Sequence, residues 1–202
     1  MIAPGSLTLI EEASDRVKQL HCFTIGHSIH PLSKFLKLLS SHNINCIVDV
    51  RSVPSIKYAA QYNREYLDSE LKQKGIRYLF MGDALGAAYD AGKTEMFQSG
   101  IQRIIEEVKN GAVIAIMCAD KEPLNCHRFA LVSHALTSKG TIVNHILKDG
   151  TLCSNDDLEK RLLEKYQHDY AHGASSQQLT ARQEALEKTY SEQSKQLTCD
   201  SK

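Results

Sequence analysis

Ala112-Val-Ile-Ala-Ile-Met117 is the most apolar run in the chain, set between Gly111 and the polar stretch that opens at Cys118. An unbroken apolar segment of this length reads as a strand buried on both faces, which is the signature of a central strand in a mainly parallel sheet. Working outward, the residues before it place Ile101, Ile104, Ile105 and Val108 on one helix face, and Gly111 ends that helix. The stretch Met81 to Ser99, with glycines at 82, 86 and 92, reads as a long loop of the kind that often serves as a lid or a binding loop. Further upstream stand a short strand, Ile76 to Phe80, a helix from about Asn63 to Lys74 closed by Gly75, and a strand at Cys46-Ile-Val-Asp-Val50. An amphipathic helix carrying Leu32, Phe35, Leu36 and Leu39 follows a first strand, Cys22 to Ile25, closed by Gly26.

Downstream of the central strand, Asn125 is placed to cap a helix with Phe129, Val132, Ala135 and Leu136 inward, and Gly140 ends it. Thr141 to Leu147 supplies another strand, Asp149-Gly150 a turn, and Ser154-Asn-Asp-Asp157 a capping box before Leu158, Leu162 and Leu163. Alternating strands and helices predict one α/β domain over residues 21–167. Residues 1–20 form an N-terminal extension and residues 168–202 a polar tail, helical or disordered, with too few apolar groups for a core of its own.

Composition narrows the function classes. Lys plus Arg and Asp plus Glu each total 24 in 202 residues, so no overall field steers the molecule onto nucleic acid, and any anion preference is local. Apolar runs of signal or membrane-spanning length are missing, which predicts a cytoplasmic protein with no membrane partner. Six widely spaced cysteines without a Cys-x-x-Cys pair predict reduced thiols, with Cys22 and Cys46 as small strand hydrophobes.

Chemistry concentrates where strands end. Parallel strands deliver their carboxyl ends to one edge, and three of them close on Gly26-His27-Ser28, Asp49-Val50-Arg51-Ser52 and Cys118 to Arg128. Asp49 either pairs with Arg51, two residues on and on the same strand face, or acts as a general base or as an orienter of His27. Arg51 and Arg128, with His127 and Ser28, are the candidate anion ligands, and the helix start after Asn125 would add backbone N–H groups. Cys126 at that start is the candidate nucleophile, its thiol activated by the helix dipole, with His27 and Asp49 as the proton-transfer groups. Cys118, Asp120, Tyr62 and Asn63 are further candidates, the last two because the tyrosines and cations from Lys57 to Tyr66 could stack a base and touch a phosphate. Cys118, Cys126, His127 and His27 would converge if a metal were bound. The spacing is unusual, and the adjacency of Cys126 and His127 argues against joint ligation, so no metal ligand and no cofactor is assigned.

Thr24-Ile-Gly-His-Ser28, Val48-Asp-Val-Arg-Ser-Val-Pro54, Gln61-Tyr-Asn63, Gly75-Ile-Arg-Tyr78 and Met117-Cys-Ala-Asp-Lys121 with Cys126-His-Arg128 together resemble the domain of unknown function 488 family over about residues 22 to 150. The resemblance implies a Rossmann-like three-layer fold, a prokaryotic cytoplasmic setting and importance for His27, Ser28, Asp49, Arg51, Cys118, Cys126, His127 and Arg128. Gly82-Asp-Ala-Leu-Gly86 is similar to the family's Leu-Gly-Gly loop, with Ala87 in place of the second glycine. The leading expectation is an anion-binding, enzyme-like site for a phosphorylated small molecule or nucleic-acid component. A non-catalytic protein- or nucleic-acid-binding module and a metal-dependent hydrolase are the alternatives, and the oligomeric state is left open.

Overall fold

The computed structural model describes residues 19–55, 57–86, 94–166 and 176–199. Six strands form one sheet in the order β3-β2-β4-β1-β5-β6: β1 (His21–Gly26), β2 (Cys46–Asp49), β3 (Arg77–Phe80), β4 (Ile114–Cys118), β5 (Ile142–Ile146) and β6 (Leu152–Ser154). All neighbours pair in parallel except β5 with β6. The apolar run that opened the sequence is thus β4, central and fully buried. Among the described residues seven α-helices are present: α1 (Leu32–Ser41), α2 (Arg64–Gln73), α3 (Gly82–Leu85), α4 (Glu95–Lys109), α5 (His134–Thr137), α6 (Asn155–Lys165) and α7 (Ser176–Cys199).

Period-two alternation sorts the core between two layers. Ile114, Ile116 and Cys118 of β4 join Cys46, Val48, Phe97, Ile101 and Ile104 on the α4 face. Ala115 and Met117 join Ile47, Phe35, Leu39, Leu67 and Leu71 on the face of α1 and α2. Cys22 and Cys46 are wholly buried in this core, as small hydrophobes. Helices on both faces of a mostly parallel sheet make the three-layer Rossmann-like arrangement.

Two readings of the sequence are corrected. The stretch from Met81 is not loop throughout: α3 begins at Gly82 and α4 at Glu95, where the Thr94 side chain accepts from the Phe97 N–H at 3.1 Å. Ala87 and Gly92 lie outside the described residues. Nor does Asn125 cap a regular helix. Pro123–Asn125 is a single 3-10 turn, Cys126 is extended, and Arg128–Ser133 is a π-helix that runs into α5. The Ser133 hydroxyl donates to the Arg128 carbonyl at 2.8 Å, holding the widened turn, a feature that often accompanies functional sites.

The capping box is present as read, with the Ser154 hydroxyl accepting from the Asp157 N–H at 3.1 Å. β6, only Leu152–Ser154, escapes a reading based on hydrophobic period. Beyond α6, the polar C-terminal helix α7 packs Ala185, Leu186 and Tyr190 against Phe129, Leu158 and Leu162. Among the described residues no helix is long and apolar enough to cross a membrane.

Candidate functional site

The carboxyl end of β4 is the switch point of the sheet. Chains leaving β1 and β2 turn to α1 and α2 on one face, whereas β4 turns to the π-helix and α5 on the other. Ligands of open α/β sheets generally bind where connections diverge in this way. Register sets this edge, because Gly26 stands beside Cys118 and Asp49 beside Met117. The ladder continues past the strands: His27 N–H donates to the Cys118 carbonyl at 3.0 Å and Ser28 N–H to the Ala119 carbonyl at 2.9 Å. Gly26 is required here because a Cβ would run into the Asp120 carbonyl.

On the α1–α2 side, Asp49 and Arg51 form a buried ion pair at 2.6 Å, so the paired reading of Asp49 is the one realised. Extended backbone puts residues i and i+2 on one face, and the Arg51 backbone N–H adds a 3.0 Å bond to the same carboxylate. Tyr78 from β3 donates to Asp49 at 2.5 Å, and Arg51 Nη2 also donates to the Tyr62 carbonyl at 2.8 Å. His27 completes this half: its Nδ1 meets the Ser28 carbonyl at 2.7 Å, its Nε2 faces Arg51 Nη1 at 3.2 Å, and its ring stacks on Tyr62 at 4.1 Å. This pattern assigns the proton to Nδ1 and leaves Nε2 as acceptor from the guanidinium. Burial, with the Arg51 charge adding to it, pushes the imidazole down to about 4. His27 is therefore neutral and held on both nitrogens at neutral pH, with its ring fixed against Tyr62.

On the α4 side lies a thiol–imidazole cluster. Cys118 Sγ, Cys126 Sγ and His127 Nδ1 lie within 4.8 Å of one another, all buried. His127 Nδ1 is 3.7 Å from Cys118 Sγ and 4.0 Å from Cys126 Sγ, while Nε2 donates to the Val50 carbonyl at 3.0 Å. Adjacency of Cys126 and His127 does not separate them, because the backbone bends from extended at Cys126 (φ −137°, ψ 139°) to helical at His127 (φ −59°, ψ −23°). A hydrogen bond from Cys126, aided by the Arg128 charge, holds the Cys118 thiol below its usual range against the opposing effect of burial. Burial drives Cys126 the other way, well above the usual thiol range, which corrects the expectation of a dipole-activated Cys126. Burial also pulls His127 down, but its contacts with the Cys126 sulfur and the Val50 carbonyl outweigh that and leave it raised.

Arg128 is 0% exposed. Its Nη1 donates to the Asp120 carbonyl at 2.6 Å and Nη2 to the Lys121 carbonyl at 3.4 Å, while Nε has no partner among the described residues. Carbonyl dipoles solvate the guanidinium without neutralising it, so this buried cation favours an anion nearby. Asp120 itself is exposed and serves through its main chain. Ser28 is half-buried at φ 49°, where its carbonyl meets His27. Tyr62 is buried, its hydroxyl donating to the His30 carbonyl at 3.0 Å, and Asn63 precedes α2 as its N-cap residue. On the loops after β1 and β2, Ile29 (80%), Val53 (71%) and Tyr58 (94%) are strongly exposed.

Two participants escaped the sequence reading. Tyr78 stands in the motif Gly75-Ile-Arg-Tyr78 but carries no sign there of its role, because only β2–β3 pairing brings it to Asp49. The Val50 carbonyl, which orients His127, carries no side-chain signature. His145 is a satisfied strand residue, bonded to Thr24 Oγ1 at 2.8 Å and Asn155 Oδ1 at 3.2 Å.

No curated protein and no solved structure matches the chain. A family model described as Domain of unknown function DUF488 matches residues 31–94 and 87–135. The matched segments contain β2, β3, β4 and the whole turn from Cys118 to Arg128, and they leave His27 and Ser28 just outside. The chain therefore belongs to the family of the domain of unknown function DUF488.

Proposed function

We propose that the carboxyl end of β4 is a thiol-based catalytic site for a phosphorylated or otherwise anionic ligand of the nucleotide class. The observation that carries this reading is the grouping of Cys118 Sγ, Cys126 Sγ and His127 Nδ1 within 4.8 Å of one another, in the same loop as a buried Arg128 that has only carbonyl partners. Cys118 is the nucleophile, stabilised as thiolate by Cys126 and by the Arg128 charge. His127 takes the thiol proton at Nδ1 and returns it to the leaving group as the new bond to sulfur forms and the old bond to the leaving group breaks. Arg128 attracts the ligand's negative charge. Asp49, Arg51 and His27 hold one another in place and act as positioning residues for this edge. Tyr58 and Lys57, both exposed on the loop after β2, supply a face and a charge for a base and a phosphate. This chemistry needs a reduced Cys118, which favours a cytoplasmic setting.

Iodoacetamide labelling across pH, read by peptide mass spectrometry, tests this. The expected outcome is preferential modification of Cys118 well below the pH at which an ordinary thiol reacts, slowed by added nucleotide. Uniformly inert thiols would favour a second reading, a non-catalytic module that engages a protein or nucleic acid through the exposed Ile29, Val53 and Tyr58.

A further inference from the structure

We infer that Cys118, Cys126 and His127 also form a binding site for a soft divalent cation of the zinc type. The three donor atoms are two sulfurs and one imidazole nitrogen, the set that such ions select over oxygen ligands. At zinc bond lengths of about 2.3 Å to sulfur and about 2.0 Å to nitrogen, a tetrahedral ion sets each S···N separation near about 3.5 Å. The observed 3.7 and 4.0 Å exceed this by no more than about 0.5 Å, within the reach of small side-chain rotations.

A second, independent feature matches. His127 presents Nδ1 to the sulfurs while Nε2 donates to the Val50 carbonyl at 3.0 Å. That outer hydrogen bond is the one that fixes tautomer and ring orientation for a metal-ligating histidine. Three protein ligands leave a fourth position for water or for an anionic group, and the buried Arg128 offsets one of the two negative charges that paired thiolates carry.

This inference does not rest on the nucleophilic role of Cys118, because a sulfur holding an ion cannot at the same time attack a ligand. The experiment is a Co²⁺ titration of the full-length, reduced chain after treatment with a chelator, followed by absorption spectroscopy. The expected result is one equivalent bound with a thiolate-to-cobalt charge-transfer band and tetrahedral visible bands, both abolished by Zn²⁺. Cys126→Ser weakens binding on the order of a hundredfold, whereas Cys153→Ser, altered on β6 outside the cluster, leaves the spectrum unchanged. A pale octahedral spectrum from the wild-type chain, or a charge-transfer band of unchanged affinity and intensity in Cys126→Ser, overturns the site. Cobalt binding in a chain whose metal-free thiols are inert to iodoacetamide sustains the metal site and sinks the catalytic reading. Reactive Cys118 without a charge-transfer band does the reverse.

Discussion

Asp49 is wholly buried, and its carboxylate is satisfied by Arg51 and Tyr78 rather than by water. Removing one member of such a pair leaves the other charge stranded, at a cost of about 3–5 kcal/mol. Asp49→Asn is accordingly expected to lower the unfolding free energy measured in urea by that amount, and Tyr78→Phe by about 1.5–3 kcal/mol, the value of one hydrogen bond to a charged group. A midpoint unchanged in Asp49→Asn would mean that Arg51 finds another counter-charge. Residue spacing alone revealed half of this arrangement: i, i+2 on a strand predicts that Asp49 meets Arg51, and that holds. Spacing could not reveal that His27 accepts from the same guanidinium, or that Cys126 and His127 face one sulfur. Those contacts depend on strand order and on a backbone bend that no hydrophobic period encodes.

At the scale of single elements, the local chemistry of the chain is well separated into what announces itself and what does not. Ser154 caps α6 as its capping box predicts, so Ser154→Ala should cost about 1 kcal/mol by thermal or urea unfolding, with the end of β4 unaffected. Glycines at 82 and 86 suggested an open loop, yet Gly82 starts α3 because a Cβ there would strike the Arg51 carbonyl and the Phe80 ring. Close approach, not freedom of φ, explains that glycine. Gly82→Ala should therefore destabilise the protein by about 1–3 kcal/mol, as overpacking does. Retention of full stability in that variant would show that the β2 and β3 loops yield easily. The π-helix after Cys126 was illegible for a related reason: Phe129, Val132 and Leu136 satisfy an α-helical period equally well, and the widened turn is tied to a Ser133 hydroxyl bond.

For the molecule as a whole, acid is the sensitive axis. His27 and His145 are buried and lowered to about 4 and about 3, burial being the first cause for each. In the unfolded chain both imidazoles bind a proton near pH 6.5, so between there and about pH 4 the unfolded state holds more protons than the folded one. The share of stability owed to these two rings is full above pH 6.5 and falls steadily as pH drops toward 4, while the raised His127 works in the opposite direction. Urea midpoints recorded across that interval check the sign, and a flat profile would contradict the burial of both rings. Fold class and the positions of the first five strands could be read from the chain because periodicity and turn residues act locally, whereas the polar composition of the tail fits helix and disorder alike. That the ends of β1, β2 and β4 share one edge was legible too, whereas which side chains touch there was not, since that follows from the order β2-β4-β1 in the sheet.

Gln193, on the last helix and 1% exposed, donates to the Leu124 carbonyl at 2.7 Å across 69 positions of sequence. Lys165 and Tyr166 hold the other end of the same amide, at 2.9 and 3.1 Å. Lifting that helix away strips a desolvated acceptor of its donor just ahead of Cys126, and only water can replace it. Wetting so close to the sulfur pair raises the local dielectric and weakens every charge effect that tunes it. The tail thus acts as a remote gasket, and its attachment sets how dry the end of β4 remains.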